Sequence, residues 1–259
     1  MEPLKIAVTG EGPTDYGRRI YNEKQCRKEW REGPIFPIIR HTAEKLGRGA
    51  ALEGIDKKEV LGIRLQRKNL SKVGTLEGKA KDSARFSWYL AMHGYSYGIF
   101  YCDTDKEAGE KNTDETVCRK LFERVYKEVR AGLEAAEIKD QTVVAMLPLK
   151  MIECWLLADP DAFQSCFGIK KPQLPPKPEL IWGNKEDMLS NYPKNVMRRV
   201  LMLSDRPIEC NQDTYCDLAE EISVETLRKK CGISFERFYQ DFRSFVNSQN
   251  AEEKISAKC

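Results

Sequence analysis

The chain has 259 residues, of which 41% are hydrophobic and 32% charged, with a formal net charge of +3. That composition predicts a soluble globular protein with a full core, not a disordered or membrane one. The charge is too small to define a nucleic-acid binder by itself. No apolar run approaches the roughly 18 residues that span a bilayer, which predicts no membrane partner.

The opening MEPLKIAVTG lacks the charged start, long apolar stretch and small-residue cleavage site of a signal peptide, so a cytoplasmic location is expected. Leu4 to Thr9 is a short apolar run closed by Gly-Glu-Gly-Pro, the pattern of a buried strand meeting a turn. Pro13 fits the first turn of a following helix through Tyr16 and Ile20. Residues 33–81 read as a long irregular excursion, with a strand at Val60 to Leu65.

Ser83 to His93 has helical spacing and stops at Gly94. Tyr97 to Cys102 is then an apolar, aromatic strand that delivers Asp103 at its end. Asn112 to Ala136 is an amphipathic helix, and Thr142 to Leu147 a third strand. Alternation of strand and helix predicts an α/β fold with a central, mostly parallel sheet flanked by helices.

Leu149 to Ala158 reads as a buried helix, and Asp159 caps another with Pro160 at its first position. Proline density from Lys170 to Pro178 marks a linker or wrapped arm. Asn184 to Leu203, Asp213 to Lys230 and Ser234 to Val246 read as helices, followed by a frayed end. The predicted organisation is a core over residues 1–160 and a helical extension over 161–259, joined through the Pro-rich segment 170–178.

The nine cysteines are odd in number and none forms a C-x-x-C pair, and there are two histidines, His41 and His93. Mostly buried, reduced thiols are expected, and no structural zinc site. The segment from Lys57 to Arg85 holds nine basic residues against three acidic ones. It reads either as a phosphate-contacting surface, with Arg64, Arg67 and Lys68 as its representatives, or as an ordinary solvated face.

Three acidic clusters carry the chemistry: Glu11 with Asp15, Asp103 with Asp105, and Glu153. Each lies at or just beyond an apolar stretch, and ligands of parallel sheets collect beyond the carboxyl ends of strands. Glu11 and Asp15 have the spacing that stacks side chains across one helical turn. Asp103 and Asp105 share a face if the strand continues, and a turn can also converge them. Glu153 interrupts an apolar segment, so it needs a metal, a cation or a raised pKa. Grouped carboxylates repel unless a cation neutralises them, and hard divalent ions prefer oxygen ligands. A Mg²⁺- or Mn²⁺-dependent enzyme acting on phosphate esters is therefore expected. There is no P-loop, no dinucleotide fingerprint at the first turn and no nucleophile elbow.

The ordered set GEGPTD, CDTD and a later acid resembles the Toprim domain of topoisomerases, bacterial primases and nucleases of the OLD (overcoming lysogenization defect) and RNase M5 types. Glu11-Gly12, Asp15 and the Asp103/Asp105 pair match its motif. Asp15 stands where OLD nucleases tend to have glutamate, and a minimal Toprim unit has no counterpart to the basic insertion. MLPLKMIECWLLADP and NYPKNVMRR are similar to an uncharacterised Toprim-like family often encoded beside an ABC-type ATPase in phage-defence loci. The resemblance implies a metal-dependent nuclease acting on DNA or RNA, an effector in anti-phage defence. Glu11, Asp15, Asp103, Asp105 and Glu153 would hold the metal, Glu11 could alternatively serve as general base, and Lys79 is the candidate transition-state cation. The alternative is a non-catalytic Toprim-like binding or sensor subunit of an ATPase complex.

Overall fold

The computed structural model describes residues 2–23, 25–64, 69, 71, 74–104, 111–139 and 141–256, the last six by backbone alone. Four parallel strands form the central sheet: β1 (Leu4–Gly10), β4 (Ala50–Gly54), β5 (Tyr97–Tyr101) and β6 (Thr142–Met146), in the order β4-β1-β5-β6. The chain leaves β1 toward β4 on one side and later returns to β5 on the other. The topological switch point therefore lies between the carboxyl ends of β1 and β5, where open α/β sheets form their binding crevice.

Period-two alternation divides the core into two layers. Leu4, Ile6 and Val8 of β1, with Ile99, Tyr101, Val144 and Met146, pack against α1 (Ile35–Lys45) and the helices that follow residue 150. Ala7, Phe100, Cys102, Val143 and Ala145 face the other way, onto α3 (Gly78–His93) and α4 (Glu115–Ala135). Both faces of the sheet are thus covered, as a parallel sheet requires. The parallel α/β architecture is the one expected from the strand–helix alternation.

Residues beyond 160 supply much of the first layer. The order there is α5 (Ile152–Leu156), α6 (Pro160–Phe167), a 3₁₀ turn (Pro178–Leu180), α7 (Pro193–Leu201), α8 (Gln212–Glu221), α9 (Val224–Lys230) and α10 (Ser234–Ser256). In α10, Phe235, Phe238, Phe242 and Phe245 are buried in one cluster with Trp155 and the sheet. Trp155 meets Phe235 edge-on at 5.1 Å, and Phe238 stacks on Phe242 at 5.6 Å. Each buried aromatic contributes about 2–3 kcal/mol of apolar burial.

Several expectations need correction. No helix follows Pro13: β2 (Gly17–Asn22) and β3 (Arg27–Glu32) form an antiparallel hairpin. Its strands have little apolar content, so they carry no periodic signal. The described part of residues 33–81 is not an irregular excursion, since α1 and the sheet-edge strand β4 lie there. Where a strand is expected from Val60 to Leu65, Val60 to Gly62 lie in α2 (Lys57–Gly62), which Asp56 caps by accepting from the Lys58 N–H, and Leu65 falls outside the described residues. Asn184 to Leu203 is helical only from Pro193 to Leu201, and residues 213–230 break into two helices where Ser223 caps the second. Gly94 does end α3 in the left-handed conformation, and Asp159 does cap α6. Among the described residues, eight cysteines are free thiols, four of them buried. No described helix is long and apolar enough to cross a membrane.

Candidate active site at the sheet switch point

Tyr101, the last residue of β5, is fully buried, and its hydroxyl reaches the crevice between β1 and β5. It donates to Asp103 Oδ1 at 2.5 Å and lies 3.3 Å from Asp15 Oδ2. Asp15 comes from the turn after β1, where its N–H and that of Tyr16 both bond to the Gly12 carbonyl. Two carboxylates from the ends of two adjacent strands therefore meet on one phenol. Burial, followed by the charges of Asp103 and Asp15, pushes the Tyr101 pKa well above the ordinary tyrosine value. The phenol is held protonated as a donor.

Glu153 lies on α5 and is 2% exposed. Its ion partner is Lys194, with Nζ at 3.5 Å, from the first turn of α7. Glu153 is the largest cause of a raised Lys194 pKa, and Asp15 and Asp103 add to it after an opposing contribution from burial. Lys194 therefore belongs to the field of all three acids. Tyr215 of α8 also adjoins Glu153; burial first, then that carboxylate, raises its pKa.

Glu11 is turned elsewhere. Its Oε1 accepts from Lys57 Nζ at 2.9 Å, and the same ammonium meets Asp82 Oδ2 at 2.9 Å. Burial opposes the Lys57 charge, but the bonds to Glu11 and Asp82 outweigh it and raise the pKa. The spacing of Glu11 and Asp15 is thus not that of stacked helical neighbours. Residues 12–16 form a turn, which sends Glu11 toward α2 and α3 and Asp15 toward β5.

Lys79 does approach the site, but through backbone: its Nζ donates to the Asp103 carbonyl at 2.8 Å. Its own N–H bonds Glu128 Oε1 at 2.7 Å, which ties α3 to α4 beneath the Asp103 loop. Thr104 is buried, and its hydroxyl donates to the Leu149 carbonyl, joining the loops that follow β5 and β6. Strand β5 ends at Tyr101, so Asp103 already lies beyond it. Asp105 falls outside the described residues, as do Arg67 and Lys68. Arg64 is exposed. Within the basic stretch, Lys57 and Lys79 are engaged as above and Arg85 donates to the Leu61 carbonyl, so part of its charge serves the protein itself.

Sequence reasoning missed Tyr101, Lys57 and Lys194. Tyr101 carried a signal, since a buried strand ending in an aromatic hydroxyl two residues before an acid can deliver that hydroxyl to it. Lys194 follows a proline at the first position of a helix, the place from which a side chain can project back into a cleft. The cysteine beside the site, Cys102, is held as a thiol by burial, and neither histidine lies among these groups.

In chemical kind, the carboxylate oxygens fit a hard divalent cation, with Asp15 and Asp103 already brought to one point. Among the described residues, however, no three acidic, cysteine or histidine side chains gather closely enough to hold a metal ion.

No family model and no curated protein matches the chain. It is similar to two solved structures of mutant creatininases, one of them described as Type II. Identities are 14% and 13%, coverage is 95% of this chain and 91% of each of those, and TM-scores are 0.25 and 0.28. Likeness at that level carries no argument about the site.

Proposed function

We propose that this chain is a Toprim-like, divalent-metal-dependent phosphodiesterase acting on DNA or RNA. One observation carries the reading: carboxylates from the ends of β1 and β5 meet at the switch point, with a buried third acid and a lysine beside them. The ordered acidic motifs and their resemblance to OLD-type nucleases add to it. On the same resemblance, the protein would act in anti-phage defence with an ABC-type ATPase as partner.

Asp15 and Asp103 would hold Mg²⁺ or Mn²⁺, with Glu11, Asp105 and Glu153 as further ligands or as orienting groups. The metal would supply Lewis-acid charge to the phosphate and acidify water. The remaining work falls to the chain. Tyr101 keeps two like charges together by donating between them, and Lys79 fixes the backbone of the Asp103 loop. Lys194, in the field of Glu153, Asp15 and Asp103, joins Lys79 as a candidate cation for the charge that develops on a transferring phosphoryl group. Glu11 is bonded to Lys57 and would have to leave that ammonium to take a proton from water.

A second reading rests on the same resemblance and on the helices that follow residue 160: the chain would serve as a non-catalytic binding or sensor subunit docked on an ATPase. Cleavage of single-stranded DNA, duplex DNA and RNA with Mg²⁺ and Mn²⁺ separates the two, with Asp103→Asn and Lys194→Met as comparisons. The nuclease reading expects loss of cleavage by at least about 100-fold in Asp103→Asn. Equal activity in wild type and Asp103→Asn would overturn it. Intact protein that neither cleaves nor binds Mn²⁺ would favour the subunit reading. Co-purification with the neighbouring gene product tests the ATPase partner.

A further inference from the structure

The β2–β3 hairpin rises directly from the turn that bears Asp15. Its register places Arg18 directly opposite Arg31, so two guanidinium groups share one face. Like charges in that position destabilise a hairpin. Both arginines line a cavity of about 460 Å³, which also includes Pro13 and Thr14 of the acidic turn and the stretch Cys210 to Asp213. Arg31 is bonded to Asp213 Oδ1, whereas the exposed Arg18 side chain has no ion-pair or hydrogen-bond partner among the described residues.

The cavity is fixed to the acid site by close backbone contacts. Gly17 has φ +106°, and a Cβ there would lie 2.3 Å from the Arg31 carbonyl oxygen. A Cβ on Gly33 would lie 2.1 Å from the Asp15 carbonyl oxygen, which also accepts from the Ile35 N–H at 3.3 Å. Glycine alone tolerates these approaches. These contacts hold Asp15 against the base of the hairpin.

We propose that the Arg18–Arg31 cavity seats a backbone phosphate of a polynucleotide, next to the phosphate presented to the acids. This rests on the phosphodiesterase reading. Arginine forks suit phosphodiester oxygens, and Asp213 would compete with the phosphate for Arg31. Binding here reads no base. It sets the register of the strand across the switch point.

The test measures binding without cleavage, in full-length Asp103→Asn protein without divalent metal. Fluorescence anisotropy across a salt series would use single-stranded DNA, duplex DNA and RNA of one sequence. Arg18→Ala and Arg31→Ala should each flatten the slope of log affinity against log salt by about one unit. Asp213→Asn should raise affinity severalfold. Arg18 is exposed, so its substitution keeps the test valid even if Arg31→Ala disturbs the fold. Unchanged slopes in folded Arg18→Ala protein that still binds would overturn the subsite and leave the phosphodiesterase reading intact. No binding to any probe would also overturn it, while the cleavage assay judges the activity separately.

Discussion

Lys194 Nζ lies 3.5 Å from Oε1 of Glu153, a carboxylate with only 2% of its side chain exposed. The two residues come from helices 41 positions apart in sequence, so packing of α7 on α5 places this charge at the crevice. A buried acid of this kind is costly without its cation.

Lys194→Met should therefore destabilise the fold. The lysine side chain is 49% exposed, so water can take over part of its role, and the loss should be about 1–3 kcal/mol in urea titrations at neutral pH. Adding Glu153→Gln should restore most of it. The Lys194 pKa is raised, so its contribution is fully present below the ordinary lysine range and disappears as pH rises through the higher folded value. The gap between wild type and variant should close at alkaline pH. A gap independent of pH would show that the lysine stem, not its charge, matters.

The Tyr101 hydroxyl separates Asp103 from Asp15, which gives a metal-dependent prediction. Tyr101→Phe removes the donor and leaves the acids facing each other, at a cost of about 1–3 kcal/mol. A divalent cation neutralises the same repulsion. Saturating Mn²⁺ should therefore raise the melting temperature of Tyr101→Phe more than that of wild type, since binding to the folded state alone stabilises it. Equal Mn²⁺ shifts in the two proteins would separate Tyr101 from the metal site.

Much of this architecture was legible in the chain. The buried strands around Ile6, Ile99 and Val144 announce themselves as apolar runs, and Gly94 and Asp159 mark helix ends by their own conformational preferences. The hairpin did not, because Arg18, Arg19, Arg27 and Lys28 face solvent and no apolar alternation marks it. Strand β4 reads as Ala-Ala-Leu-Glu-Gly, too short and mixed to stand out from a loop. At the site, acids beyond strand ends were visible as candidates. Which of them meet was not, because convergence of Asp15 with Asp103, and diversion of Glu11 to Lys57, depend on a turn and on partners 46 and 86 residues apart.

Buried thiols predict alkaline instability. Cys102, Cys154 and Cys231 are fully enclosed, and burial is the first cause of their raised pKa values. In the unfolded chain each thiol loses its proton above about pH 8.5, while the folded chain retains it. The folded state then binds more protons, so stability is intact below that range and falls as pH rises. Each thiol should contribute a slope of about 1.4 kcal/mol per pH unit above it. Cys154→Ala, followed by chemical denaturation between neutral and strongly alkaline pH, should show a shallower decline than wild type. Parallel declines would place the alkaline weakness elsewhere, with Tyr101 the next group to examine.

The Pro-rich arm is anchored by Glu179, whose 2% exposure conceals three hydrogen bonds. It accepts from the Ile233 N–H at 2.6 Å, the Ser234 N–H at 3.1 Å and the Ser234 hydroxyl at 2.7 Å. That hydroxyl in turn accepts from Trp155 Nε1 at 2.9 Å, two residues from Glu153. The arm, the start of α10 and the helix bearing the buried acid are thus one network. Burial raises the Glu179 pKa against the opposing pull of these donors. Glu179→Ala leaves two N–H groups and a hydroxyl without their acceptor and should lower stability by about 3 kcal/mol. Glu179→Gln keeps one oxygen and should lose roughly half as much. If the arm is held in this way, hydrogen exchange at Ile233 and Ser234 should accelerate in Glu179→Ala well before global unfolding. Wild-type exchange rates there, in a variant of unchanged stability, would mean that packing of the arm alone holds it in place.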